Sequence, residues 1–247
     1  MSARLPRRVA LRVLASLPAI LLILLGPFGL ARADTLTGRI YAPDARTGTV
    51  LFTWELERDP TTGHWRSSYR TLAGTLAAED EVVWDGDVFR SYRYTRPPIG
   101  EVASVERRGG ELRYRQVVNG AARERREAFD DRVAVGPTVI PWAQRHWGRL
   151  RTGRELTVRY AVLDQLRSFE FRLTLVQEPL AVAQGAAVVK MAPSSALLRL
   201  FVSPVYLVFS QDGRVFRGMI GRLLPMGVQG ARAYPIDGEL VLHSGGG

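Results

Sequence analysis

The chain has 247 residues, 46% of them hydrophobic, with 34 basic against 24 acidic side chains, a formal charge of +10 and no cysteine. It is long enough to bury a sizeable core in one large β domain, and it has no disulfide, thiolate chemistry or cysteine-linked lipid. Only one of the basic residues, Lys190, is a lysine. That reads as a composition bias rather than as a set of phosphate contacts.

Residues 1–33 begin with Arg4, Arg7, Arg8 and Arg12, continue through an apolar run from Val13 to Leu30 and end on Ala31-Arg32-Ala33. This three-part pattern predicts a secretory signal peptide cut after Ala33. Helix breakers at Pro18, Gly26, Pro27 and Gly29 make an uncleaved membrane anchor the less comfortable alternative. Arg7-Arg8 lacks the aromatic or Leu that would follow in a twin-arginine signal, so the general secretory route and a periplasmic location are expected. Five of the basic residues and no acid fall before residue 34, which leaves residues 34–247 at about +5. A mildly basic surface favours anionic partners such as lipid headgroups. Nucleic acid is not expected, because the protein is exported and carries no recognition motif.

Residues 34–247 contain no long linker and read as a single β-rich domain ending in a frayed glycine tail, Gly245–Gly247. The first clear strand alternates Val50, Phe52, Trp54 and Leu56 with Leu51, Thr53 and Glu55. Turn signals follow at Asp59-Pro60-Thr61-Thr62-Gly63, Asp85-Gly86-Asp87, Arg108-Gly109-Gly110, Asn119-Gly120 and Asp212-Gly213. Between them, Leu112 and Tyr114 alternate with Arg113 and Arg115; later, Leu156, Val158, Tyr160 and Val162 alternate with Thr157 and Arg159. Phe169, Phe171, Leu173 and Leu175 oppose Glu170, Arg172 and Thr174. One wet and one buried face per strand implies antiparallel sheet, with about nine to eleven strands joined mostly as a meander.

One stretch breaks the period of two. Val139, Trp142, Ala143, His146, Trp147 and Leu150 fall at i, i+3, i+4, i+7, i+8 and i+11, a continuous stripe on a helix. Thr138 is placed to cap it, Pro141 sits in its first turn, and Gly148 and Gly153 end it. A second short helical piece is expected over Pro193–Phe201, with Ser194 as cap and Leu197, Leu198 and Phe201 inward. A meander of this length must curl, and its concave apolar face needs a cover. The predicted fold is therefore mainly β: one strongly curved antiparallel sheet, a half-barrel or barrel-like meander, covered by one main helix and a short second helical segment.

The run "VGPTVIPWAQRHWGRLRTGRELTVRYAVLDQLRSFEFRL", followed by "VVKMAPSSALLRLFVSPVYLVFSQDGRVFRGMIG", resembles a pattern in exported bacterial proteins of unknown function. There a Trp-containing helix precedes a Gly-led strand pair, and a later Met, Pro and aromatic strand leads to a hairpin and a glycine. Those proteins are similar to the half-barrel lipoprotein-sorting and lipid-chaperone class. The resemblance covers roughly residues 135–222 and implies a curved antiparallel sheet, covered by helices, that binds acyl chains. Where the pattern often continues to an Asn after the last glycine, this chain reads Gly218-Met219-Ile220-Gly221-Arg222.

Chemistry is sparse. His64, His146 and His243 lie in a turn, a helix and the tail, and no spacing suits zinc. There is no Gly-x-Ser-x-Gly elbow, phosphate loop or dinucleotide fingerprint, so no enzyme, cofactor or metal is expected. Glu79-Asp80-Glu81 and Asp130-Asp131 border turns and read as solvated charge. Arg123-Glu124-Arg125-Arg126-Glu127 reads as a solvated strand face or edge. In Arg90, Tyr92, Arg93, Tyr94 and Arg96 the tyrosines are expected half-buried and the arginines outward.

Two function classes follow. One is a non-enzymatic periplasmic protein that binds or carries a lipid-like molecule between curled sheet and helix, with Val139, Trp142, His146, Trp147, Phe169, Phe171, Leu173, Tyr206 and Phe209 lining the gap. The other is a scaffold with a filled core that assembles with an envelope protein or an anionic membrane surface through its arginines. In both readings the same helix covers the same sheet.

Overall fold

The structure is a computed structural model and describes residues 34–43, 48–59, 61–85, 88–176, 185–230 and 232–243. The expected leader and glycine tail lie outside the described residues. Fifteen strands form one sheet: β1 (Asp34–Tyr41), β2 (Val50–Asp59), β3 (His64–Arg70), β4 (Leu76–Asp85), β5 (Val88–Arg96), β6 (Glu101–Arg108), β7 (Glu111–Val118), β8 (Ala121–Ala128), β9 (Val133–Val135), β10 (Leu156–Val162), β11 (Arg167–Val176), β12 (Ala187–Pro193), β13 (Val205–Phe209), β14 (Phe216–Gln229) and β15 (Arg232–Leu242).

Their order is β8-β7-β6-β5-β4-β3-β2-β1-β15-β14-β13-β12-β11-β10-β9. Every pairing is antiparallel except β9 on β10, where Val133 to Val135 run alongside Arg159 to Ala161. The sheet is a curved, barrel-like meander whose two edges, β8 and β9, do not close into a continuous ladder. The expected fold class holds. The fifteen strands exceed the nine to eleven expected; β9, for one, spans only three residues, too few for a period-two stripe to announce it.

The turn signals work as their chemistry requires. Gly63 N–H donates to the Asp59 carbonyl at 2.9 Å, Gly213 N–H donates to the Ser210 carbonyl at 2.8 Å, and Asn119 and Gly120 both take positive φ between β7 and β8. Because the strands alternate in direction, the connections divide between two ends. The 61–63, 109–110 and 210–215 turns share the upper end; residues 71–75, 97–100, 119–120, 163–166, 194–204 and 230 share the lower.

The helix is present but broken. α1 (Val139–Arg145) and α2 (Trp147–Arg151) meet at His146, whose backbone lies at φ −100°, ψ 11°. Gly148 lies inside α2 rather than ending it, and Gly153, at φ +75°, is the residue that turns the chain away. Thr138 is not a side-chain cap: its Oγ1 accepts the Val135 N–H at 2.8 Å, tying the helix entry back to β9. Val139, Trp142, Ala143, Trp147 and Leu150 are buried in one cluster with Ile40, Phe52, Trp54, Leu156, Phe171, Leu173, Leu207, Phe209 and Phe216. The stripe therefore packs on the concave sheet, joining β1 and β2 to β10–β14.

The second helical segment differs from expectation. Only a single 3₁₀ turn forms, at Leu198–Leu200, with Ser195 rather than Ser194 accepting at its start. Leu197 and Phe201 point into solvent instead of inward. The i, i+4 spacing of those two residues would suit a helix lying on the core, but the turn stands on the rim between β12 and β13, beyond reach of the concave face.

Candidate functional site

The helix-covered region holds most of the residues predicted to line a gap. Trp147 stacks obliquely on Phe209 with ring centroids 5.3 Å apart, and Phe209 meets Phe216 edge-on at 5.6 Å. A Cβ on Gly213 would lie 2.0 Å from the Trp147 ring, so the indole is pressed flat onto the β13–β14 turn. Phe171 and Leu173 rise from β11 into the same cluster, with Phe169 half-buried against it.

His146 donates from Nδ1 to the Trp142 carbonyl at 2.8 Å and stacks on the Trp142 ring at 4.2 Å, so that nitrogen is engaged within the helix. Tyr206 is the exception to the predicted lining. Strand alternation turns Leu207 and Phe209 inward and Tyr206 outward, where Lys190 stands over its ring at 5.8 Å.

The other half of the interior holds a polar cluster that the sequence reading assigned to loops and surface. Asp80 is 4% exposed. It shares a hydrogen bond with Ser67 and accepts the Tyr92 hydroxyl at 3.1 Å. Burial pushes its carboxyl up to about 6. Below it, Tyr94 donates to Glu101 at 2.9 Å and contacts Asp164. Arg96 donates to Glu101 at 2.9 Å, to Asp164 at 3.2 Å and to the Leu224 carbonyl at 2.8 Å. Gln116 joins Glu101, and Arg123 reaches from β8 to both Gln116 and the Asp164 carbonyl.

Tyr92 and Tyr94 are thus fully interior rather than half-buried, and Arg96 is buried while Arg90 and Arg93 face outward. Asp130 is no free loop charge either: Arg159 donates to it at 2.8 Å. The signal for Asp80 was there, since Ala78, Asp80 and Val82 share the inward face of β4, but the flanking Glu79 and Glu81 made the triplet look solvated.

Gly136 links the two halves. At φ +50°, with a would-be Cβ 2.5 Å from the Tyr92 ring, it lets the chain cross from β9 toward α1 where no side chain fits. Two open hollows mark the outer surface, of about 230 Å³ beside Arg66, Glu79 and Arg93 and about 270 Å³ beside Thr53, Ser68 and His243. Neither is lined by a residue of the helix stripe.

Comparison with known proteins adds little beyond shape. No family model matches the chain, and no curated protein matches it. Among solved structures it is similar to a β-barrel-like protein of a domain of unknown function, DUF1849, from Brucella abortus, with a TM-score of 0.42 and 10% identity over 85% of this chain and 96% of that one.

Proposed function

We propose that the protein is a non-catalytic, exported β scaffold of the cell envelope, whose interior is filled by its own side chains and whose outer face and rims make its contacts. The observation that carries this reading is the occupancy of the concave face. Trp147 lies between Phe209 and Gly213, the Trp142 stripe is buried against β10–β14, and the opposite half is filled by the bonded Asp80, Tyr92, Tyr94, Arg96 and Glu101. The signal-like residues 1–33 support the extracytoplasmic location. Each buried carboxylate of the interior cluster is already engaged by hydroxyls, an amide or a guanidinium, an arrangement suited to holding a shape.

Native mass spectrometry of gently purified protein tests it. The bare chain mass, together with unchanged tryptophan emission on adding fatty acid, is the expected result. A stoichiometric lipid adduct would overturn it.

That adduct would favour a second reading, a carrier for an apolar or amphipathic molecule under the helix. The buried indole nitrogen of Trp147, which has no hydrogen-bond partner among the described residues, supports it, as does the resemblance to lipid chaperones.

A further inference from the structure

Nine large hydrophobic side chains are exposed among the described residues, and seven of them stand at the lower end of the barrel: Leu72, Leu197, Leu200, Phe201, Val202, Val228 and Tyr234. The other two, Val88 and Val215, are at the upper end. The densest group is the 3₁₀ turn between β12 and β13, where Leu197 is 66% exposed, Leu200 76% and Phe201 77%. A folded chain with a filled core has no internal reason to hold four neighbouring apolar side chains in water.

The sequence around these tips is one-signed. Residues 71–75, 194–204 and 224–236 contain Arg199 and Arg232 and not one Asp or Glu. The neighbouring carboxylates are neutralised within the fold, Asp237 by Arg222 at 2.6 Å and Asp164 by Arg96. The β14–β15 hairpin bears on the same end: it shifts register between Arg222 and Met226, packs Leu223 and Leu224 on the two core clusters, and is held by Arg96 on the Leu224 carbonyl.

We propose that this lower rim docks on the surface of a bilayer containing anionic lipid. Leu197, Leu200, Phe201 and Val202 would enter the boundary between headgroups and acyl chains, and Arg199 and Arg232 would meet lipid phosphates. Convex apolar tips on separate connections penetrate a fluid layer readily, whereas a protein partner needs one continuous complementary face. The absence of carboxylates from residues 71–75, 194–204 and 224–236 favours an anionic layer over a neutral one. The inference goes beyond the scaffold reading and fails separately from it, since docking of this kind extracts no lipid into the core.

The chain has no cysteine, so Phe201→Cys and Val215→Cys each give one labelling site for an environment-sensitive fluorophore, at opposite ends of the barrel. The protein as released by an expressing cell, its N terminus read by mass spectrometry, is mixed with vesicles of phosphatidylcholine alone or with phosphatidylglycerol. The expected result is a blue shift and a several-fold rise in emission at position 201 but not 215. The rise should occur on the anionic vesicles and weaken in high salt. In the unlabelled protein, the paired change Leu200→Asp with Phe201→Asp should lower vesicle co-sedimentation by roughly tenfold or more without moving the melting temperature, because both side chains are already in water. No response at 201, equal responses at 201 and 215, or equal responses on neutral and anionic vesicles would each overturn the proposal.

Discussion

Glu127 on β8 accepts the backbone N–H of Ser168 on β11 at 3.1 Å through each of its carboxylate oxygens, joining the sheet's exposed edge to a strand its ladder never reaches. Tyr114 also donates to this carboxylate, and Arg159 stands 3.5 Å away while bonding the Ala128 carbonyl at 3.2 Å. The seam of the barrel is therefore built from side chains. Glu127→Ala strands a backbone N–H and a tyrosine hydroxyl together, and a loss of about 1–3 kcal/mol is expected. Hydrogen exchange should speed up along β8 and at the start of β11, and stay unchanged in β1 and β15. Uniform acceleration across the sheet would contradict a local seam.

Asp80 sets a pH dependence. Its carboxyl ionises near 3.8 in an unfolded chain and only at about 6 when buried, so the native state holds the proton more tightly. Stability from this group is full below pH 3.8, declines as pH rises toward 6 and is flat above, a total cost of about 3 kcal/mol at neutrality. Asp80→Asn should remove that decline and raise stability at pH 8 by about 1–3 kcal/mol, while leaving hydrogen bonds available to Ser67 and Tyr92. Denaturant titrations of both proteins at pH 4 and pH 8 measure it; an Asn variant less stable at pH 8 would show that the carboxylate is needed ionised.

Trp147 and Gly213 form a contact with no slack. Gly213→Ala combines a positive φ with a Cβ placed inside the indole, and should cost at least about 2 kcal/mol. Trp147→Ala should cost about 3–5 kcal/mol by leaving a cavity between α2 and Phe209. Thermal melts of the two single variants and the double one check this. The double variant should lose less than the sum, because the alanine at 213 meets no ring once the indole is gone.

Arg96 holds the lower half of the interior. Arg96→Ala leaves Glu101 buried with its charge uncompensated, for a loss of about 3–5 kcal/mol. Arg96→Met with Glu101→Leu should recover most of it, since removing both charges also removes the desolvation penalty. If the pair is no better than the single change, the guanidinium's bond to the Leu224 carbonyl is the dominant contribution.

Much of this architecture could be read from residue spacing. Period-two alternation marked strands such as β2, β10 and β11, Asn119-Gly120 and Asp212-Gly213 marked the β7–β8 and β13–β14 turns, and the stripe from Val139 to Leu150 marked the helix and its buried face. What escaped was decided by closure of the sheet. Nothing local says that Asp80, Tyr92, Tyr94 and Arg96 share an interior with Glu101 and Asp164, because the partner that makes a buried carboxylate tolerable lies up to 70 residues away. The 3₁₀ turn at Leu198–Leu200 failed for a related reason: apolar spacing reports which residues share a face, and only the completed sheet shows whether a core remains for that face to meet.

The pairing of β1 with β15, Gly38 opposite Leu242, places β15 in the interior of the sheet, between β1 and β14. Hairpins on either flank can assemble as they emerge, yet the two flanks share no ladder until this keystone arrives. Synthesis that stops short of β15 would leave two half-sheets with raw edges, prone to pairing with other chains. Joining of the two flanks is thus deferred until β15 is available to pair with both β1 and β14.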